Sequence, residues 1–421
     1  MNLISTIRTR INGRVLPLIN MPKPFSFVGA GSSLSLCREI KGTGVKRVLL
    51  ITDGPLFKMG LVDPIVANLK DSGITVEVYS DVVPDPGFDI VMAGVEKLKA
   101  FKADAVLAVG GGSSIDCAKA ILMCHANNAH PSTLTGIWLY AKPRKKILPF
   151  FAVPTTAGTG SEVTIAAVVS DKVAQIKYAM VDPKMVPSMI ALDPSLMTGL
   201  PPFITAPTGM DALTHAVEAY ISTMATAETD ELARMATASI IQNLPQAYSN
   251  GSDIGVREAM AVASSMAGLA FTRAGVGYVH AFAHQMGGLY HVPHGLANAI
   301  ILPLVLEFSK VKCAHRLAEL ARVSGIGQAS ASDNQLAEAF ITHIRQMNAD
   351  MAIPTTFKDL KREDFDKIID RALSEAHGTY GVPRYMSRED STELLTKRLA
   401  GPLRARRRSA PHAPAARPLA R

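Results

Sequence analysis

The chain has 421 residues, 48% of them hydrophobic and 19% charged. That excludes a disordered polymer and supplies apolar side chains for two or three domains of roughly 150 residues each. The net charge of +8 is carried by the ends: residues 401–421 hold six arginines and residues 1–38 four arginines and one lysine, with no acid in either stretch. The body between them is mildly acidic, so neither a basic nucleic-acid face nor a membrane partner is expected. The longest apolar runs fall far short of the roughly 20 residues of a membrane helix, and Ala299–Leu306 is broken by Pro303.

Residues 1–23 read as a poorly ordered extension. The first 20, with Arg and Ser/Thr but no acid, also bear a faint resemblance to an organellar transit segment. From 24 to 200, short apolar runs alternate with helical patterns. Val45–Thr52, Thr75–Tyr79, Ala103–Val109 and Phe150–Val153 are the predicted strands, with helices over Asp63–Ser72 and Asp89–Phe101 between them. Thr164–Ser170 and Tyr178–Val181 suggest a further β-hairpin. The alternation predicts βαβ units and a parallel sheet, hence an α/β nucleotide-binding domain.

The pattern changes at Pro201-Pro202. Helical periodicity then dominates, over Asp211–Ser222, Glu228–Asn243, Ile254–Arg273, Val279–Tyr290 and Leu317–Val323, so residues 201–400 are expected to form an all-helical domain. The cleft between two such domains is a favoured small-molecule site. Residues 401–421, punctuated by Pro402, Pro411, Pro414 and Pro418, read as a disordered basic tail. Four cysteines, Cys37, Cys117, Cys124 and Cys313, are scattered without a C-x-x-C pair, which argues against a disulfide framework and points to a cytoplasmic location.

Three features suit a nucleotide. Gly110-Gly111-Gly112-Ser113 follows a predicted strand and opens a helix over Ser114–Met123. Glycines admit a ligand to the backbone there, and the helix start offers unpaired N–H groups and a positive dipole end for phosphate. A plain Gly-rich βα turn would look the same. Pro154-Thr155-Thr156-Ala157-Gly158-Thr159-Gly160-Ser161-Glu162 offers hydroxyls and bare backbone after another strand, though it also reads as an ordinary polar loop. Asp53 closes the strand Val45–Thr52. A carboxylate there can accept from a ribose 2′-OH and repel a 2′-phosphate, or simply cap a turn.

The strongest pattern is Gly209-Met210-Asp211-Ala212-Leu213-Thr214-His215, a carboxylate and an imidazole one helical turn apart. Val279-His280-Ala281-Phe282-Ala283-His284 repeats the spacing with two imidazoles, and His291 and His294 follow. So many imidazoles beside an Asp inside apolar helices are costly to bury without a partner. An Asp plus three His set suits Fe²⁺ or Zn²⁺, although spacing does not say which imidazole is left over.

The runs GGGSSIDCAK, PTTAGTGSE, GMDALTHAVEAY and VHAFAHQMGGLYHVPHGLAN, in this order, resemble the iron-containing, group III alcohol dehydrogenases over about Pro24 to Leu399. The resemblance implies a Rossmann-like nucleotide domain and an all-α metal domain, the dehydroquinate synthase-like architecture. It also implies NAD(P)-dependent interconversion of a small alcohol and its aldehyde or ketone, and a homodimer or larger homo-oligomer. By motif, Asp211, His215, His280 and His294 would hold Fe²⁺, or Zn²⁺ or another divalent metal. His284 would be the catalytic group near the nicotinamide, bonding substrate or relaying its hydroxyl proton. Gly111, Gly112, Ser113 and Asp116 would line the pyrophosphate, and Thr155, Thr156, Thr159 and Lys177 would contact the cofactor. Asp53 matches the family's acid at the adenosine ribose, which favours NAD over NADP. Asp85 stands where relatives often carry Asn.

Other readings keep the fold and change the substrate to a polyol or glycerol, a lactaldehyde, a hydroxy acid or threonine. A metal-dependent hydrolase or lyase would use the same His/Asp set to activate water, but leaves the Gly-rich loops without a purpose. A non-catalytic nucleotide sensor is the third. Phe271, Phe282 and Tyr290, close to the metal motifs, suggest a modest aliphatic substrate.

Overall fold

The computed structural model describes residues 21–136, 146–328 and 330–399. The basic tail and residues 1–20 of the extension lie outside that range.

The first half alternates strand and helix: β1 (Phe25–Val28), α1 (Ser32–Gly42), β2 (Arg47–Asp53), α2 (Gly54–Lys58), α3 (Asp63–Asp71), β3 (Thr75–Val82), α4 (Phe88–Phe101), β4 (Ala105–Gly110), α5 (Gly112–Asn127) and β5 (Phe150–Pro154). An antiparallel hairpin of β6 (Ala166–Asp171) and β7 (Ile176–Val181) and a last strand, β8 (Met189–Leu192), complete it. Six parallel strands form one sheet in the order β1-β8-β5-β4-β2-β3. Every residue of β4 is buried, because helices cover both faces, and a strand buried on both faces has to be apolar throughout.

That continuity made four strands legible. β1 and β8 were not predicted: each has four residues, too few to stand out as an apolar run. The hairpin lies where Thr164–Ser170 and Tyr178–Val181 placed it. From β2 the chain steps outward to β3 and then back across to β4, so the carboxyl ends of β2 and β4 flank a switch point, where α/β sheets bind ligands.

The second half is helical: α6 (Pro202–Ile221), α7 (Ala227–Ser249), α8 (Ile254–Ala274), α9 (Tyr278–Tyr290), α10 (His294–Val323), α11 (Asp333–Asp350), α12 (Phe365–Ala376) and α13 (Arg388–Glu393). Helix α6 starts nine residues before the predicted Asp211, with Pro202 in its first turn, where a missing N–H is harmless. Helix α10 is also longer than expected and joins two helical segments across a non-helical Cys313 (φ −135°, ψ 24°). Helix α8 is long and apolar enough, by length and composition, to cross a membrane. Here it packs against α6 and α7, with its buried Arg257 donating to Leu200 O, Gly251 O and Thr205 Oγ1.

Candidate metal centre and nucleotide cleft

Asp211 and His215 lie one turn apart on α6, and both are buried. His280 sits in the first turn of α9 and His294 begins α10. Ligand atoms of Asp211, His215 and His280 lie within 4.8 Å of one another. His294 Nε2 reaches the same carboxylate at 3.6 Å. Gly295 makes this approach possible: a Cβ there would stand 2.3 Å from Pro207 O and 3.3 Å from Asp211 Cβ, so only glycine lets the start of α10 rest on α6. His291, the remaining imidazole of this stretch, is exposed and caps α9 in a left-handed conformation (φ 54°).

The donor set fits a divalent cation. Burial pushes His215 down to about 3 and holds His280 and His294 well below the usual histidine range, so all three imidazoles are neutral and keep a lone pair to give. Burial raises Asp211, opposed first by His215. The side-chain amide of Asn298 stands among them. Its Nδ2 donates to Asp211 Oδ1 at 2.6 Å and lies 3.2 Å from Nε2 of both His280 and His294. A positively polarised group thus sits where one carboxylate and two imidazole lone pairs converge. Asn298 Oδ1 and His215 Nδ1 are buried with no hydrogen-bond partner.

Glu218, one turn beyond His215 on α6, accepts from Gly277 N–H at 2.9 Å, Val279 N–H at 2.8 Å and His280 Nδ1 at 2.6 Å. These bonds pin the first turn of α9 and leave His280 Nε2 as the lone-pair nitrogen, as a carboxylate behind a metal-binding histidine does. Burial pushes Glu218 up to about 7 against those donors. Glu218 and Asn298 were not singled out from sequence; both recur at helical spacing from a motif histidine, which is the signal that could have found them.

His284, one turn after His280, stacks on His294 with ring centroids 5.4 Å apart and meets His280 edge-on at 6.0 Å. Its Nδ1 pairs with Glu375 Oε1 of α12 at 2.6 Å. Of the aromatic candidates, Phe271 stacks on His215 at 4.2 Å. Phe282 is wholly buried in the core. Tyr290 turns away to donate to Asp364 Oδ2 at 2.5 Å.

On the opposite side, Gly111 caps α5 in an extended conformation and Gly112 opens it, so the first-turn N–H groups of Gly112 and Ser113 lack intrahelical acceptors. A Cβ on Gly112 would stand 2.5 Å from Thr159 Cγ2, and one on Gly111 3.5 Å from Thr156. Thr155 N–H donates to Gly110 O at 3.0 Å. The two Gly-rich loops therefore pack together at the carboxyl ends of the paired strands β4 and β5. Asp53, at the end of β2, caps α2 by accepting from Leu56 N–H at 2.9 Å.

Three predicted cofactor contacts are engaged within the protein. Asp116 lies one turn into α5, and its two oxygens accept from Ser161 Oγ at 2.5 Å and Val168 N–H at 2.9 Å; it braces the second loop and β6. The buried Lys119 ties down the same segment through Ser161, Thr164 and Ala166. Asp85, in a left-handed conformation (φ 52°), pairs with Lys177 Nζ at 2.5 Å. Lys177 is also within van der Waals reach of α9, since a Cβ on Gly287 would meet its Nζ at 3.0 Å.

Gly-rich loops at the carboxyl ends of parallel strands, together with an Asp/His₃ cluster in a helical half, are the parts that a metal-dependent dehydrogenase uses. The model of the iron-containing alcohol dehydrogenases matches residues 24–194, and that of the Fe-containing alcohol dehydrogenase family's C-terminal part matches residues 205–399. Among curated relatives, the NAD-dependent methanol dehydrogenase of Bacillus methanolicus is 36% identical over 378 residues, covering 89% of this chain and 98% of that one. The NADPH-dependent butanol dehydrogenase of Clostridium saccharobutylicum is 35% identical over 379 residues, covering 88% and 95%. A crystal structure of 1,3-propanediol oxidoreductase superposes with a TM-score of 0.86 at 36% identity, covering 90% of this chain and 99% of that one. The chain belongs to the iron-containing alcohol dehydrogenase family, and it is an oxidoreductase.

Proposed function

We propose that the protein interconverts a small aliphatic alcohol and its aldehyde or ketone, using NAD and a divalent metal, Fe²⁺ in the first instance. One observation carries the reading: the donor atoms of Asp211, His280 and His294 converge on the Asn298 amide, with His215 closing the cluster. A cation held by these four residues supplies Lewis acidity toward the substrate oxygen, and the nicotinamide supplies the hydride acceptor.

The remaining work falls to the chain's own side chains. Glu218 holds His280 in the tautomer that presents Nε2. Burial of Asp211, His215 and His280 keeps water from the cluster. Phe271, stacked on His215, offers an apolar wall suited to an aliphatic substituent. His284, stacked on His294 beside the cluster, would be the side chain that accepts the substrate's hydroxyl proton. The first turn of α5 would receive the pyrophosphate, and the threonines of the second loop and the Asp85–Lys177 pair would border the ribose and nicotinamide.

The preference for NAD rests on Asp53, whose carboxylate at the switch point would face a 2′-phosphate; the named relatives include users of each cofactor. Asp53→Gly should therefore raise kcat/KM with NADP relative to NAD by tenfold or more. The comparison, run on a panel of C2–C6 alcohols and diols, also tests the substrate class. A wild-type preference for NADP would overturn the assignment, and absence of any turnover with metal and nucleotide bound would favour a sensor. Homo-oligomerisation is supported by the sheet edge at β1, where Phe25 and Val28 are 64% and 49% exposed. The four free, buried cysteines suit a reducing cytoplasm.

A further inference from the structure

We propose that Glu375 is a positioning residue for the reaction, setting the tautomer and the ring orientation of His284. The proposal rests on the reading of His284 as the acceptor of the substrate's hydroxyl proton.

Glu375 is the penultimate residue of α12. A carboxylate in the last turn of a helix faces the negative end of the helix dipole, so its position calls for compensation from elsewhere. Three donors converge on it. His284 Nδ1 and Tyr380 Oη each lie 2.6 Å from Oε1, and Gln285 Nε2 lies 3.3 Å from Oε2. The Tyr380 hydroxyl is held well above its usual range, by burial first and then by Glu375 itself, so it remains a phenol and can only donate to a carboxylate. The Gln285 amide nitrogen likewise only donates. With its oxygens engaged as acceptors, Glu375 requires an N–H from His284 Nδ1. The lone pair then resides on Nε2, the nitrogen on the far side of the ring from α12.

The ring is also fixed in angle, lying 15° from the plane of His294 and 67° from that of His280. In alcohol oxidation the hydroxyl O–H bond breaks and its proton passes to the Nε2 lone pair. The Nδ1 proton stays where Glu375 holds it, and a bound NAD would supply the acceptor for the hydride from the carbinol carbon. The arrangement parallels the carboxylate that orients the histidine of a hydrolytic triad, built here from two helices 91 residues apart in sequence.

The test compares Glu375→Gln, Glu375→Asp, His284→Ala and the double variant Glu375→Gln/His284→Ala, each as the metal-loaded full chain. The expected result for Glu375→Gln is wild-type metal content, KM for alcohol and for NAD within about threefold, and kcat lowered roughly 10²-fold. Nitrogen-15 spectra of labelled histidine, with the His284 signals identified by their loss in His284→Ala, should show the Nδ1–H tautomer giving way to a mixture. Glu375→Asp, which keeps the carboxylate, should restore much of both. In the His284→Ala background, Glu375→Gln should change kcat by less than about twofold, because the carboxylate would have nothing left to orient. An unshifted tautomer in Glu375→Gln, or the same loss of kcat with and without His284, would overturn the proposal and make Glu375 a brace for α12. Undiminished kcat in His284→Ala would instead overturn the proton-acceptor reading, while the tautomer spectrum still reports on Glu375.

Discussion

Individual residues of the centre divide into those that would touch a ligand and those that hold them in place. Glu218 belongs to the second kind: it satisfies two backbone N–H groups at the start of α9 and fixes the His280 ring through one more bond. Glu218→Gln should retain the fold yet weaken metal affinity by about 10- to 100-fold, measured by competition with a chelator; an unchanged affinity would mean that packing alone orients His280. Asp211 and His215 were legible because one helical turn relates them, and His280–His284 for the same reason. The partners behind them were not. Glu375 approaches His284 from a helix that no local spacing connects to it, and nothing in the sequence signalled that the oxygens of Asp116, one turn into a motif helix, bond Ser161 and Val168. Motif position identifies a neighbourhood, whereas hydrogen-bond bookkeeping decides what each side chain does there.

At the scale of elements, the meeting of α6 and α10 is what assembles the site. Gly295 permits it, and its role is steric. Gly295→Ala must move the α10 backbone away from Pro207 O, a change expected to destabilise the fold by about 1–3 kcal/mol and to withdraw His294 from Asp211. Thermal unfolding together with metal content checks this; a variant with both unaltered would show that the contact has slack. The parallel strands were readable because burial on both faces makes them apolar throughout, and the first four predicted helices of the second half because their patterns run for three turns or more. The four-residue strands β1 and β8, helices α1, α11 and α12, and the first part of α10 were missed. In the last case Pro303 resembled a break, although the helix accommodates it.

Across the whole molecule, the second Gly-rich loop packs on the helical half, Gly158 against Thr208 and Gly160 against Gly268, and strand β7 of the hairpin lies against α9. Lys177 on that hairpin meets Asp85 on the nucleotide side and lies against Gly287 of α9. The core is closed to thiol chemistry in both halves. Burial pushes Cys37, Cys124 and Cys313 up to about 12 and Cys117 higher still. Burial disfavours the thiolate and shields the sulfurs, so at pH 8 the native protein should react only slowly with a thiol reagent, and with four equivalents after denaturation. Rapid native reaction would reveal an opening that the packed structure does not contain.

The central claim is that Asp211, His215, His280 and His294 together hold one divalent metal ion, and metal content per chain tests it most directly. Elemental analysis of the purified wild type should give about one ion per chain. Each of Asp211→Ala, His215→Ala, His280→Ala and His294→Ala should lose most of it while keeping a wild-type circular dichroism spectrum. Stoichiometric metal retained in all four variants would contradict the account.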